Sequence, residues 1–204
     1  GKSTLARLIP RLIETRKGQV LIDGVPVDKL PLSALRETIG YVPQDTFLFS
    51  ESIQENIALG VADRKLVQQA CEVAALADLA DFPDGLDTVI GERGLTLSGG
   101  QRQRTALARA VMRDPQILIL DDALASVDTH TEEQILKGLR QVMAARTTIL
   151  IAHRISTVQH ADHILVLDQG VVAEQGTHEQ LIRTGGIYAD MHRRQNLSEE
   201  LSTL

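Results

Sequence analysis

The chain has 204 residues, of which 43% are hydrophobic and 24% charged, with a formal net charge of -6. That composition suits an ordinary globular domain with a real core. The acidic balance argues against a nucleic-acid partner, because binding a phosphate backbone needs a basic face. Aromatics at 2% with no Trp leave few platforms for stacking bases. Cys71 is alone. No internal disulfide can therefore form, a reducing compartment fits, and the residue reads as a small buried hydrophobe on a helix. No apolar run approaches the ~20 residues that span a bilayer.

In chain order, Leu5, Leu8, Ile9, Leu12 and Ile13 recur at helical spacing and predict one apolar face. Pro10 falls inside that stretch and should kink the helix, leaving a carbonyl without its donor. Gln19 to Asp23 alternates as a short strand, and Asp23-Gly24 signals a hairpin turn. Thr38 to Val42 is a second short strand, ended by Pro43. From Ile53 to about Ala80 the pattern is helical, with Val67, Ala70, Cys71 and Ala74 inward, until Phe82-Pro83-Asp84-Gly85 breaks it.

Gln101 to Met112 is a helix with Ala106, Leu107, Ala110 and Val111 on one side. Gln116 to Leu120 is a buried strand ending on two carboxylates. Asp128 caps a helix whose inner face is Ile135, Leu136, Leu139 and Val142. Thr147 to Ala152 and Ile164 to Leu167 are further buried strands, the latter paired with Val171-Val172 across a Gln169-Gly170 turn. A last helix begins near His178, and the polar tail 196–204 should fray. Strands alternating with helices predict an α/β fold with a mainly parallel sheet. The helical stretch between Ile53 and Met112 interrupts that alternation as a separate lobe.

Three motifs carry chemistry. Gly1-Lys2-Ser3-Thr4 matches the end of a phosphate-binding loop, G-x-x-x-x-G-K-[ST], in which amides and a Lys hold phosphates and a hydroxyl holds Mg²⁺. On its own it is equally an ordinary helix cap. The chain opens on this motif without an initiating Met, and reads as a piece of a longer protein cut within that loop. Leu118-Ile119-Leu120-Asp121 is a buried strand delivering a carboxylate at its C-terminal end, where α/β ligand sites lie. In P-loop enzymes that Asp helps hold Mg²⁺. Many strands end in a polar turn, so this too is weak in isolation. Leu97-Ser98-Gly99-Gly100-Gln101 adds glycines that let a phosphate approach the backbone, a hydroxyl, and the positive end of a helix. Coincidence of all three in this order points to nucleotide chemistry.

These residues resemble the nucleotide-binding domains of ATP-binding cassette (ABC) proteins over almost the whole chain, from Gly1 to about Gln195. Leu97 to Gln101 matches the family signature. Tyr41-Val42-Pro43-Gln44 resembles the glutamine loop, which implies that Gln44 contacts Mg²⁺ and the attacking water. Ala125-Ser126-Val127-Asp128 resembles the D-loop that crosses a dimer. Ile151-Ala152-His153-Arg154 resembles the switch-histidine segment, which implies that His153 contacts the γ-phosphate.

The resemblance implies a P-loop NTPase (RecA-like) core at 1–52 and 114–195, an ABC-type helical subdomain at 53–113, and ATP and Mg²⁺ as cofactors. Gly1, Lys2, Ser3 and Thr4 would bind ATP. Ser98, Gly99, Gly100, Gln101 and Asp128 would bind it in trans. Ser3, Gln44 and Asp121 would hold the metal, and Asp122, His153 and Gln44 would serve catalysis. Asp45 to Ile57, the 88–94 segment around Glu92, and Gly176-Thr177-His178-Glu179 resemble the exporter group. That implies upstream transmembrane domains, a second nucleotide-binding domain as partner, a place on the cytoplasmic face of a membrane, and a coupling contact by Glu92.

One position departs from the family pattern. Where the family has a Glu general base directly after the strand Asp, this chain has Asp122. The replacement is similar to that in the degenerate half of heterodimeric exporters, in which one ATP site hydrolyses poorly while the signature stays intact. Two other classes stay open at this stage. A soluble cassette ATPase of DNA repair or translation would show a coiled-coil insertion or a basic surface, and this chain shows neither. A non-hydrolysing nucleotide-binding regulator is compatible with Asp122.

Overall fold

A computed structural model describes residues 1–15, 18–61, 63–78, 82, 84–91 and 97–202. Helix α1 (Lys2–Leu8) buries Ala6 and stops short of Pro10. The expected kinked helix through Ile13 is therefore corrected: proline cannot donate into the next turn, so the helix ends. Leu5 and Leu12 lie exposed, not on an inner face. The Ala6 carbonyl still finds a donor in Ile9 N at 3.3 Å. The Arg36 guanidinium takes the Pro10 and Arg11 carbonyls, each at 3.1 Å.

Strands β1 (Leu21–Ile22) and β2 (Val25–Pro26) pair antiparallel around Asp23 and Gly24, at φ 49 and 78. Two positive φ values in a two-residue loop make the mirror-image turn that hairpins favour. Helix α2 (Leu32–Glu37) leads into β3 (Ile39–Val42). Helix α3 (Ile53–Ala58) is capped by Ser52, and α4 (Arg64–Val73) by Asp63. The long α5 (Gly99–Met112) follows, then β4 (Ile117–Asp121), α6 (Thr129–Ala144) and β5 (Thr147–Ile151). After the short α7 (Ile155–Val158) come β6 (Ile164–Asp168), β7 (Val171–Gly176), α8 (His178–Thr184) and α9 (Ile187–Ser202).

The central sheet is parallel in the order β3-β4-β5, with Val42 opposite Leu120 and Leu120 opposite Leu150. Its middle strand is buried on both faces, as a parallel sheet covered by helices requires. Gly40 is needed where α5 crosses β3, since a Cβ there would meet Pro115 Cγ at 2.7 Å and the Ala110 carbonyl at 3.0 Å. One apolar core joins Val42, Leu118 and Leu120 of the sheet to Ile57, Val67 and Leu107 of the helices. The core of the helical stretch is thus continuous with that of the sheet. The stretch closes onto the sheet through α5.

The expected hairpin forms. β6 pairs antiparallel with β7 in a small separate sheet, turning at Gln169 and Gly170. A second core of Ile155, Ile164, Leu181 and Tyr188 seats α8 and α9 on that hairpin. Glu174 caps α9, accepting from Ile187 N at 2.6 Å and Tyr188 N at 3.0 Å. That anchorage lets the helix run on to Ser202, so the tail expected to fray from Asn196 is helical over its described part. No helix among the described residues is long and apolar enough to cross a membrane.

Candidate active site

The C-terminal ends of three parallel strands lie side by side, and α/β folds present ligands at that edge. Gly1 caps α1, and Lys2, Ser3 and Thr4 form or follow its first turn. Ser3 Oγ donates to Asp121 Oδ1 at 2.9 Å, and the Tyr41 hydroxyl donates to Asp121 Oδ2 at 3.1 Å. Asp121 is fully buried at the end of β4. A buried carboxylate is tolerable only when its oxygens are engaged, and both are.

Burial raises the Tyr41 phenol above its usual range. The Asp121 charge adds to that, while a hydrogen bond with Arg7 opposes it. The phenol thus stays a donor at neutral pH. Paired hydroxyl and carboxylate oxygens suit Mg²⁺, which takes one or two carboxylates plus substrate phosphates in preference to an all-protein cage. No group of three or more His, Cys, Asp or Glu able to hold a metal occurs among the described residues.

Asp122 follows immediately at φ 53, its amide bonded to the Ile151 carbonyl of β5 at 2.9 Å. The turn aims its carboxylate at His153, with Oδ2 3.9 Å from Nε2. The Asp122 side chain is 13% exposed and that of His153 68%. The pair borders a cavity of about 160 Å³ that Glu132, Arg154 and Thr157 also line. Gln44 lies exposed just past β3 and forms no hydrogen bond among the described residues. The structure therefore joins Ser3, Asp121 and Tyr41 in one cluster and Asp122 with His153 in another, and Gln44 is hydrogen-bonded to neither among the described residues.

On the signature side, Ser98 caps α5 in a reciprocal box: its Oγ accepts from Gln101 N at 3.2 Å, and Gln101 Oε1 accepts from Ser98 N at 2.9 Å. Gln101 Nε2 donates to Asp78 Oδ2 at 3.1 Å. Arg104 reaches the same carboxylate through both terminal nitrogens, at 2.9 and 2.6 Å. Burial alone would raise the Asp78 carboxyl, but Arg104 and Gln101 hold it below its usual range. Ser98 keeps its hydroxyl proton free to donate. Gln101, by contrast, has both ends of its amide engaged within the chain.

The two signature glycines serve packing as well. A Cβ on Gly100 would meet the Ser126 carbonyl at 3.0 Å, and one on Gly99 would meet Ser126 Cβ at 3.3 Å. Asp128 caps α6 by accepting from Thr131 N at 3.0 Å, a bond that lowers its carboxyl pKa. Glu92 lies outside the described residues.

Several residues escaped the sequence reading. Buried Gln103 accepts from Ser126 N at 2.9 Å and donates to the Asp122 carbonyl at 3.4 Å, tying the D-loop segment to the signature helix. Buried Glu132 pairs with Arg154 and accepts from Thr157. Tyr41 lies next to last in β3, on the strand beside the one that carries Asp121, and that placement was the available signal. Arg109 donates to the Asn56 carbonyl at 2.7 Å and to the Phe47 carbonyl at 2.9 Å. This holds Phe47 and Phe49 in an edge-to-face pair, 56% and 47% exposed. A β-bridge from Ser52 to Val89, itself 67% exposed, brings the two exporter-like segments together.

Residues 1–125 match the family model described as ABC transporter. The chain belongs to the ABC transporter family. Among curated ABC proteins it is 49% identical over 197 residues to an ATP-dependent lipid A-core flippase of Burkholderia orbicola (strain AU 1054), covering 96% of this chain and 33% of that protein. It is 50% identical over 198 residues to an ATM1-type heavy metal exporter of Novosphingobium aromaticivorans, covering 96% and 33%. A solved bacterial Atm1-family ABC exporter with ATP bound superposes with a TM-score of 0.92 at 49% identity, over 96% of this chain and 35% of that one. The chain spans about a third of the length of the relatives it matches. The expected fold, an ABC nucleotide-binding domain with a parallel sheet, is borne out.

Proposed function

We propose that this chain binds and hydrolyses ATP to drive export across a membrane, as one half of a dimer of nucleotide-binding domains joined to upstream transmembrane domains on the cytoplasmic face. The observation that carries this reading is the buried Ser3–Asp121 pair beside the start of α1. In it, Lys2 and the α1 amides hold the β- and γ-phosphates, with Gly1 and Thr4 completing the loop. Ser3 and Asp121 hold Mg²⁺, with Gln44 as a further contact. When bound, the ion neutralises charge on the phosphates. Asp122 accepts a proton from the attacking water and His153 contacts the γ-phosphate. The Ser98 hydroxyl, the Gly99 and Gly100 backbone and Asp128 complete the opposing subunit's site, and Gln101 contributes by fixing Ser98. Residues 1–52 and 114–195 form the catalytic unit and 53–113 the signature unit. The exposed Phe47, Phe49 and Val89 face the transmembrane part, and Glu92 serves the coupling to it. Glu92→Gln is expected to lower transport per ATP hydrolysed in reconstituted vesicles, and an unchanged ratio would remove it from coupling.

Asp122 makes this chain's own site weakly hydrolytic, and that in turn favours a heterodimer. Its carboxylate falls short of a Glu's by about one C–C bond, ~1.5 Å, and a misplacement of about 1 Å can slow a reaction on the order of 10²-fold. The same shortening supports a second reading, a site that retains ATP without turning it over. The experiment is Asp122→Glu in the full-length dimer with the opposing site's base removed. A rise in ATP cleavage supports the first reading. No rise, with an intact opposing signature, means that side-chain length at 122 does not limit the site.

A further inference from the structure

His153 presents a 68% exposed imidazole whose nearest charged neighbour, Asp122, is 3.9 Å away. That contact is too long for a hydrogen bond, so the placement of the ring depends on the backbone that carries it. That backbone is gripped from outside its own segment. Gln195, on α9, accepts from Ile155 N through Oε1 at 2.7 Å and donates through Nε2 to the His153 carbonyl at 2.7 Å. Ile155 opens α7, whose N-cap Arg154 makes no side-chain cap, so its amide is one of the donors a helix start leaves without a partner. Of the side chains, only a carboxamide offers an acceptor and a donor in this side-by-side arrangement.

On the opposite flank, Arg154 donates to the Val127 carbonyl at 3.2 Å and pairs with Glu132. The 153–155 segment is thus clamped between α9 on one side and the D-loop and α6 on the other. We propose that Gln195 is a positioning residue for His153, through which the C-terminal helix sets the geometry of the ATP site. The inference rests on the proposed role of His153. It adds that a residue 42 positions away along the chain, on the helix anchored by Glu174 and Tyr188, controls that role.

The test uses the full-length dimer with the opposing site silenced, and follows single-turnover cleavage of ATP on this chain's P-loop. Gln195→Leu removes both bonds. Gln195→Glu keeps the acceptor for Ile155 N and sets a carboxylate against the His153 carbonyl. Both are expected to slow cleavage about 10- to 100-fold and to leave ATP affinity unchanged, while Gln195→Leu alone is expected to speed amide exchange at Ile155. Combined with His153→Ala, neither is expected to slow cleavage further, because residues acting through one another are not additive. A loss that multiplies with that of His153→Ala overturns the proposal in favour of a purely structural contact, as does a wild-type rate in Gln195→Glu. If His153→Ala itself leaves cleavage unchanged, the reading of the site fails and the positioning role falls with it. Should Gln195→Leu fold poorly, Gln195→Glu, alone and combined with His153→Ala, carries the test.

Discussion

The carboxylate cluster and the signature segment are two ways of preparing for a phosphate. At the end of β4 the groups already satisfy one another: Asp121 is buried and accepts from Ser3 and Tyr41. At the start of α5 the rigidity is spent on holding the exposed Ser98 in place. Capping, the Asp78–Arg104 pair and the close approach to Ser126 hold that segment in place. One half is wired inward and serves its own site. The other is braced from behind and leaves Ser98 exposed for the trans contact proposed above. A cis site can thus be legible in one subunit while its trans complement looks like an over-engineered helix cap.

The sharpest way to break this contrast is Ser98→Arg in the full-length dimer. Turnover at the opposing site is expected to fall on the order of 10²-fold or more, with ATP binding at this chain's own P-loop intact. Normal hydrolysis at the opposing site in that complex would mean that Ser98 faces nothing. Next in size is Gly100→Ala. The new methyl group would press on the Ser126 carbonyl, and overpacking of this kind destabilises by about 1–3 kcal/mol. A fall in melting temperature should accompany reduced turnover, whereas unchanged melting would leave phosphate approach as the sole reason for glycine. The smallest effect is on the inward side. Tyr41→Phe removes one of two donors to Asp121, expected to lower stability by about 0.5–1.5 kcal/mol and barely alter ATP binding. A severe loss of binding in a calorimetric titration would show that the cluster does not stand on Ser3 and Lys2.

What was legible in the sequence was what phosphate chemistry dictates locally. Gly1 to Thr4, Leu97 to Gln101 and the strand ending in Asp121 are short runs whose residue types follow from adjacent atoms. The Asp23-Gly24 and Gln169-Gly170 turns were legible for the same reason, because positive φ selects the residue on the spot. Stripes misled where a breaker overruled them: Pro10 ended a helix whose apolar residues promised a run on to Ile13. Composition misled at the C-terminus, where a polar run is helical because Glu174, far from it in sequence, caps the start of α9. Gln103, Glu132 and Gln195 were beyond reach, because each does its work across more than eighteen positions of chain. Nothing in their neighbours announces the partner.

The positive φ of Asp122 has a consequence for how such a site changes over generations. A left-handed backbone at 53 admits Gly freely, and Asn or Asp more readily than longer side chains. Replacing Asp122 by Asn or Gly would therefore erase the proton acceptor while leaving the fold almost undisturbed. Most routes to an inactive enzyme pass through an unstable protein, and quality control removes them. At this position the backbone imposes no such filter, so the carboxylate proposed as the proton acceptor can be lost without backbone strain.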